Sequence, residues 1–352
     1  MKDVLILAIE SSCDETSMSI VKNGKDVLSI VVNTQISTHE KFGGVVPEIA
    51  SRMHTENITM VLDETLKKAN VSMDDISAIA VTYGPGLMGS LLVGVEAAKT
   101  IAYVYKKPLI AVNHMAGHIY ANNIENTMEF PILALVVSGG HTDLVYMEDD
   151  YKFEVLGSTL DDAIGETYDK VARVLDLKYP GGPNVEKLAA QGQPTYKLPI
   201  PMNDNSLNMS FSGLKSSIIN LPVPMDDDSY DFSFSGIKSA VINLVHNETQ
   251  RGNTINKEDL AASFQTVAID ELTRKLSLAL KKVNVNQVII AGGVSANQYL
   301  RKEVAKLLEN TNIKLLVPSM IYCTDNGAMI GAAAYPLYLK KQFTTFDLNA
   351  TP

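Results

Sequence analysis

PILALVVSGGHTDLVYM, residues 131–147, is the stretch that decides how this chain folds. It reads as a strand, an apolar run that would be continuous but for its glycines. Ser138, Gly139 and Gly140 interrupt the run, and a second strand-like segment follows from Thr142. The opening of the chain repeats this design: VLILAIES, a small polar turn, then MSIVKNGKDVLSIVVNTQ with a turn at Asn23-Gly24. Two strand–turn–strand openings imply two related lobes around a cleft.

Working outward, strands and helices alternate. ASRMHTENITMVLDETLKKANV carries Met53, Ile58, Val61, Leu62 and Leu66 at helical spacing. ISAIAVTYGPG is a short buried strand stopped by Gly84-Pro85-Gly86, and GSLLVGVEAAKTIAYVYK is an apolar helix. NQVIIAGGVSANQYLRKEVAKLLE gives strand, glycine turn and helix. This order predicts an α/β fold.

The chain has 352 residues, 46% hydrophobic and 20% charged, as expected of a packed protein of two domains. Its formal charge of −10 argues against a stand-alone nucleic-acid binder, because phosphate contacts need clustered Lys and Arg. An RNA substrate would need a local basic patch or a partner. Cys13 and Cys323 are too few for a disulfide framework, so a reducing cytoplasm is expected. The apolar run Val4 to Ile9 is too short for a signal segment or a membrane span.

Three small-residue turns follow strands: ESSCDET (10–16), VSGGHTD (137–143) and AGGVSAN (291–297). Such turns let backbone N–H groups and hydroxyls approach an anion. One alone is a plain tight turn; three at matching places point to a nucleotide held between lobes. The P-loop pattern is absent; GPGLMG (84–89) has the G-x-G-x-x-G spacing, but a Rossmann dinucleotide site is not the expected reading of this chain. In NHMAGHIY, His114 and His118 share one helix face at metal-ligand spacing, although chance pairs also occur at this spacing. The residue after His114 is Met115, so the general base of an H-E-x-x-H metalloprotease is missing. Asp325, before the apolar helix in YCTDNGAM, is the best third ligand; a helix N-cap is its other reading. Asp161, Asp162, Glu166 and Asp169 fall on a predicted helix, most simply as a solvated face.

The motifs ESSCDET, GGVVPEIASR, YGPGLMGSLLVG, NHMAGH, LVVSGGHT, GETYDKVAR, YPGGP, SFSGIK, AGGVSANQYLR and CTDNGAMI occur in this order from Val4 to about Tyr338. Together they strongly resemble the bacterial TsaD family of tRNA threonylcarbamoyltransferases. The resemblance implies the two-lobed fold shared by actin, sugar kinases and chaperone ATPases, with a substrate cleft between the lobes. The first lobe would comprise residues 1–125 and 324–352, the second 126–323.

The resemblance also implies an acyltransferase. It would move the threonylcarbamoyl group from threonylcarbamoyl-AMP to N6 of the adenosine 3′ of the anticodon, in tRNAs reading codons that start with A. By the same resemblance, His114, His118 and Asp325 hold one divalent metal, iron(II) with zinc as the alternative. Val136, Val137, Ser138, Gly139 and Gly140 form the substrate turn, and Asp169, Gly182 and Asn297 make further contacts. Glu186 stands where some bacterial members carry Asp. Asp14 and Glu15 lie where the family places residues important for activity. The implied partners are tRNA, a TsaB-type paralogue and a TsaE-type ATPase, with no membrane. The small residues Gly89, Gly94 and Ala97 are either a pairing surface for the paralogue or the inner face of a packed helix. A sugar-kinase-like phosphotransferase would share the fold, but would not call for the histidine pair. A metalloprotease is the weaker alternative.

One feature departs from the family. LPIPMNDNSLNMSFSGLKSSIIN (198–220) is followed at once by LPVPMDDDSYDFSFSGIKSAVIN (221–243), identical at 14 of 23 positions. Two units are too few for a solenoid. In the first copy Leu221-Pro222 cuts the helix short, whereas the second runs on through Asn247. The second copy is therefore expected in the family position, with 198–220 as an extra hairpin-like insertion. The opposite assignment would leave Phe211 buried and Phe234 exposed.

Overall fold

The computed structural model describes residues 3–198 and 234–352. The first half runs β1 (Leu5–Glu10), β2 (Glu15–Lys22), β3 (Asp26–Thr34), α1 (Ile36–His39), α2 (Pro47–Ala69), β4 (Ala78–Gly84), α3 (Met88–Val104), β5 (Leu109–Asn113) and α4 (His114–Glu125). The second half runs β6 (Ile132–Val137), β7 (Thr142–Met147), β8 (Phe153–Ser158), α5 (Ile164–Val174), α6 (Gly181–Ala189), α7 (Ser235–Gln250) and α8 (Lys257–Lys282). It closes with β9 (Gln287–Ala291), α9 (Gln298–Leu308), β10 (Lys314–Leu316), α10 (Met320–Cys323) and α11 (Gly327–Leu339).

The echo between the two openings is a true echo of topology. The first sheet has the order β3-β2-β1-β4-β5 and the second β8-β7-β6-β9-β10. In each, the first three strands form an antiparallel meander and the last two add parallel to the central strand. The strand alternation explains the continuous apolar runs. Leu7 and Ile9 of β1 face a core under α2 and α3, while Ile6 and Ala8 face the opposite side. Leu133, Leu135 and Val137 of β6 face α5 and α8, while Ile132, Ala134 and Val136 share the second face with β1. Both sheets therefore bury both faces, and α4 and α11 lie in the core between them.

Small residues make that middle layer thin. A Cβ on Gly327 of α11 would lie 2.7 Å from the Ser19 backbone nitrogen and 2.9 Å from the Ala8 carbonyl oxygen. Backbone cannot swing aside as a side-chain tip can. Gly327→Ala is therefore expected to cost about 1–3 kcal/mol, read as a lowered midpoint of urea unfolding.

The acidic run 161–169 is not one helix. Asp161 and Asp162 precede α5, and they anchor α7 instead. Asp161 Oδ1 accepts from the backbone N–H of Phe234 at 2.8 Å, and Ser235 Oγ donates to Oδ2 at 2.6 Å. Asp162 pairs with Lys238 and with Lys170. Burial opposes ionisation of Asp162, but these two lysines hold its carboxyl below the usual carboxylate range. Phe234 is fully buried against α5 and α8, and the helix runs on from Ser235. The SFSGIK signature is thus a plug (Phe), a cap partner (Ser) and an ion-pair partner (Lys) for one acidic corner. The first copy carries the same residue types at Phe211, Ser212 and Lys215. From residue 199 on, the first copy lies outside the described residues, as does the second copy up to residue 233.

The glycines of YGPGLMGSLLVG serve internal packing. A Cβ on Gly94 would meet Ser11 Oγ at 2.3 Å, and one on Gly89 would meet Ser51 Cβ at 3.0 Å. Gly86, at φ +159°, lets the loop before α3 sit on the Ser12 carbonyl, which accepts from Leu87 N–H at 2.7 Å. Of the two readings of the small-residue helix, the inner packed face is the one realised by Gly94.

Candidate active site and metal centre

The site is built at the carboxyl ends of β1, β5 and β6. His114 and His118 occupy the first and second turns of α4, whose N-cap is Asn113; the Asn113 side chain accepts from the N–H groups of Met115 and Ala116. That cap fixes where the helix starts and so directs both imidazoles to one side. Asp325 reaches the same point from the turn before α11. It does not cap that helix. Asn326 does, through an acceptor bond from Met329 N–H, which leaves the Asp325 carboxylate for the histidines.

His114 Nε2 lies 3.5 Å and His118 Nε2 3.2 Å from Asp325 Oδ1, and one ligand atom from each of the three residues falls within 4.8 Å of the others. The rings meet edge to face, 4.6 Å apart. Neither ring nitrogen of His118 makes a hydrogen bond of normal geometry, although the side chain is 1% exposed. A buried imidazole that faces a carboxylate yet makes no regular hydrogen bond suits a cation held between the two. The donor set of two imidazoles and one carboxylate fits a divalent transition metal with open positions. Without an ion, the charges compensate one another. Burial pulls the His114 pKa down, but Asp325 and Glu10 outweigh it and hold it up at about 9. Burial pushes Asp325 up, yet the two imidazoles hold it down at about 2.

Behind His114 stands Glu10, the first residue of ESSCDET, which the structure places at the end of β1. It is fully buried. Its Oε1 accepts from Ser12 N–H at 2.6 Å, its Oε2 accepts from the Thr82 hydroxyl, and Oε2 lies 3.2 Å from His114 Nδ1. Burial disfavours its ionised form, but the facing His114 keeps its pKa below the ordinary glutamate value.

Asp14 and Glu15 follow on the ESSCDET turn. Asp14 is buried and its Oδ2 has no hydrogen-bond partner. Burial and the Asp14 charge push the Glu15 carboxyl well above the usual range, against the hydrogen bond from Thr34. His54 of α2 clamps this pair from below. Its Nε2 must donate to the Cys13 carbonyl at 2.9 Å, so its Nδ1 accepts from Thr16 Oγ1 at 2.7 Å. The two bonds flank residues 14 and 15, a function invisible in sequence because His54 reads only as a helix residue.

The 136–140 turn lies across the cleft. Val136 and Val137 are fully buried, so only their backbone is available to a ligand. Ser138 N–H donates to the His141 carbonyl and His141 N–H to Ser138 Oγ, which ties off a tight loop. Gly139 and Gly140 are exposed, with open space where a Cβ would stand. His141, also missed in sequence, is partly buried, and burial holds its pKa down. Gly292, at φ +88°, brings the 291–297 turn against the Val137 carbonyl.

Asp169 accepts from Gly181 N–H at 2.6 Å, and burial raises its pKa despite that bond. Gly182, one residue on, has open space beside it. Asn297 and Glu186 are already engaged. Asn297 Oδ1 caps α9 through Leu300 N–H, and its Nδ2 donates to Gln265. Glu186 Oε1 accepts from Gln298 N–H at 2.6 Å. Both side chains position the start of α9.

Two matched five-stranded sheets, with a His-His-Asp group that could hold a metal ion, place the chain in the actin-like α/β fold class. Solved structures bear out the fold. HypF from T. kodakarensis matches with TM-score 0.60 at 14% identity, covering 98% of this chain and 49% of that one. Component A of the Acidaminococcus fermentans (R)-2-hydroxyglutaryl-CoA dehydratase matches with TM-score 0.53 at 14% identity, over 95% and 98% of the two chains. The family model TsaD, tRNA N6-adenosine threonylcarbamoyltransferase, matches residues 26–223 and 217–332, the break falling inside the doubled stretch. Relatives named tRNA N6-adenosine threonylcarbamoyltransferase include one from Staphylococcus haemolyticus, 52% identical over 349 residues (99% of this chain, 95% of that protein). Another, from Staphylococcus saprophyticus, is 53% identical over 345 residues (98% and 94%). The chain belongs to the TsaD family and is an acyltransferase of that type. No helix among the described residues is long and apolar enough to cross a membrane.

Proposed function

We propose that the chain transfers threonylcarbamoyl from threonylcarbamoyl-AMP to N6 of the adenosine 3′ of the anticodon, in tRNAs reading codons that start with A. The observation that carries this reading is the convergence of His114, His118 and Asp325, whose charges reach His141 beside the open Gly139-Gly140 turn. In the reaction, N6 bonds to the carbamoyl carbon, the bond from that carbon to the phosphate oxygen breaks, and AMP leaves with the electron pair.

His114, His118 and Asp325 would hold one divalent ion, iron(II) in our assignment, with zinc able to occupy the same donors. When bound, such an ion would supply Lewis-acid chemistry. The backbone of Val136 to Gly140, together with Gly182 and Asp169, would seat the adenylate, which positions the carbonyl for attack. Asn297 and Glu186 are supported as holders of α9 at the rim of that seat. Asp14 or Glu15 would accept the proton released from N6. Glu15 is the stronger base of the ordinary carboxylates because burial and the Asp14 charge raise its pKa. We assign residues 1–125 with 324–352 to one lobe and 126–323 to the other, work in the cytoplasm to the enzyme, and a TsaB-type paralogue and a TsaE-type ATPase to it as partners. An acidic chain then relies on those partners to help hold tRNA.

The test is reconstitution with an adenylate-forming enzyme, both partners and tRNA. Modified adenosine is the expected product, and none from the wild type would favour the phosphotransferase reading. In single-turnover transfer from preformed threonylcarbamoyl-AMP, the rate should fall as pH drops through the raised Glu15 pKa. Glu15→Gln should slow transfer by about 10²- to 10⁴-fold and erase that limb. Normal transfer by both Asp14→Ala and Glu15→Ala would remove the base from this pair.

A further inference from the structure

Glu10 has no role in the scheme above, yet it is the most thoroughly buried carboxylate near the site. Three donors converge on it: Ser12 N–H, the Thr82 hydroxyl and His114 Nδ1. A carboxylate in this setting only accepts hydrogen bonds. A lone pair on Nδ1 facing Oε2 at 3.2 Å would be repelled, so Nδ1 must carry the hydrogen. Nε2, on the side where His118 and Asp325 wait, is then the nitrogen that gives up its proton and offers a lone pair when an ion binds.

We propose that Glu10 is the positioning residue of the metal centre: its carboxylate holds His114 with Nδ1 protonated and so presents Nε2 to the ion. The inference rests on the metal reading of His114, His118 and Asp325. A carboxylate behind a ligating imidazole fixes ring orientation as well as tautomer, and loss of such a partner costs about 10- to 100-fold in metal affinity. Thr82 extends the support to β4, so the ligand is braced by the two neighbouring strands β1 and β4. Ser12 Oγ, also 3.2 Å from Nδ1, is a hydroxyl and can serve either tautomer. The selection must come from the carboxylate.

Glu10→Gln separates these roles because it is isosteric. Its amide NH₂ must face either Ser12 N–H, donor against donor, or His114 Nδ1, where it stabilises the other tautomer. Zinc affinity by chelator competition is expected to fall about 10- to 100-fold in Glu10→Gln, and to change no more than about threefold in Ser12→Ala. In the zinc-loaded wild type, ¹⁵N-labelled His114 should show a hydrogen on Nδ1 and none on Nε2. Wild-type zinc affinity in a folded Glu10→Gln, or a ligating Nδ1 in the wild type, would overturn the proposal. The wild-type spectrum decides the matter even where the variant fails to fold. Equal zinc binding by wild type and His118→Ala would instead sink the metal reading itself.

Discussion

His118→Leu should abolish metal binding and lower the stability of the metal-free protein. His118 Nε2 faces Asp325 Oδ1 at 3.2 Å, and the two imidazoles hold that buried carboxyl down. Removing one partner of a buried polar pair leaves the other unsatisfied, at a cost of about 1–3 kcal/mol. The ion adds a second effect. A ligand at one hundred times its dissociation constant stabilises the folded state by about 2.7 kcal/mol. Wild-type protein should therefore melt higher with added zinc or iron(II) and lower with chelator, whereas His118→Leu should melt alike in both. Transfer to tRNA should fall by at least about 100-fold, since one of three ligands is gone. Equal metal content and equal metal-dependent melting in the two proteins would show that His118 is not a ligand and would overturn the metal reading.

The fold was legible because its signal is repeated. Two apolar runs each end in small polar turns, and in each, strand alternation places one set of side chains outward and the other toward a shared middle layer. The pairing of the two histidines was legible for a similar reason: His114 and His118 stand four apart on one helix, and helical spacing translates directly into proximity. What escaped notice has no local signature. Glu10 looks like a strand terminus, and its meaning depends on Thr82 and His114, far along the chain. His54 reads as a helix residue until Cys13 and Thr16 are found on its two nitrogens. Asp161 and Asp162 looked like a solvated helical face, because a charge run is silent about which distant backbone it caps. Asn326, rather than Asp325, caps α11, and one residue of register decides whether a carboxylate is free for a ligand.

Phe234→Ala should destabilise the protein by about 3–5 kcal/mol, while Phe211→Ala should change stability by less than about 0.5 kcal/mol. Phe234 is completely buried against α5 and α8, so truncation removes apolar contact and leaves a cavity that rigid neighbours cannot fill. Its backbone N–H is held by Asp161, so the segment cannot simply slide to refill the space. The contrast between the two phenylalanines tests which copy of the doubled stretch occupies the acidic corner, for both copies offer Phe, Ser and Lys in the same order. Urea unfolding of the two single variants and the double variant forms a closed cycle. If only the second copy docks, the double variant matches Phe234→Ala and the coupling is zero. If instead the first copy replaces a damaged second, Phe234→Ala alone loses little, and the full loss is seen only when Phe211 is truncated as well. A large loss in Phe211→Ala with none in Phe234→Ala would reverse the assignment. A tandem duplication carries a second copy of the plug in the sequence, and a coupling energy different from zero tells that the spare is used.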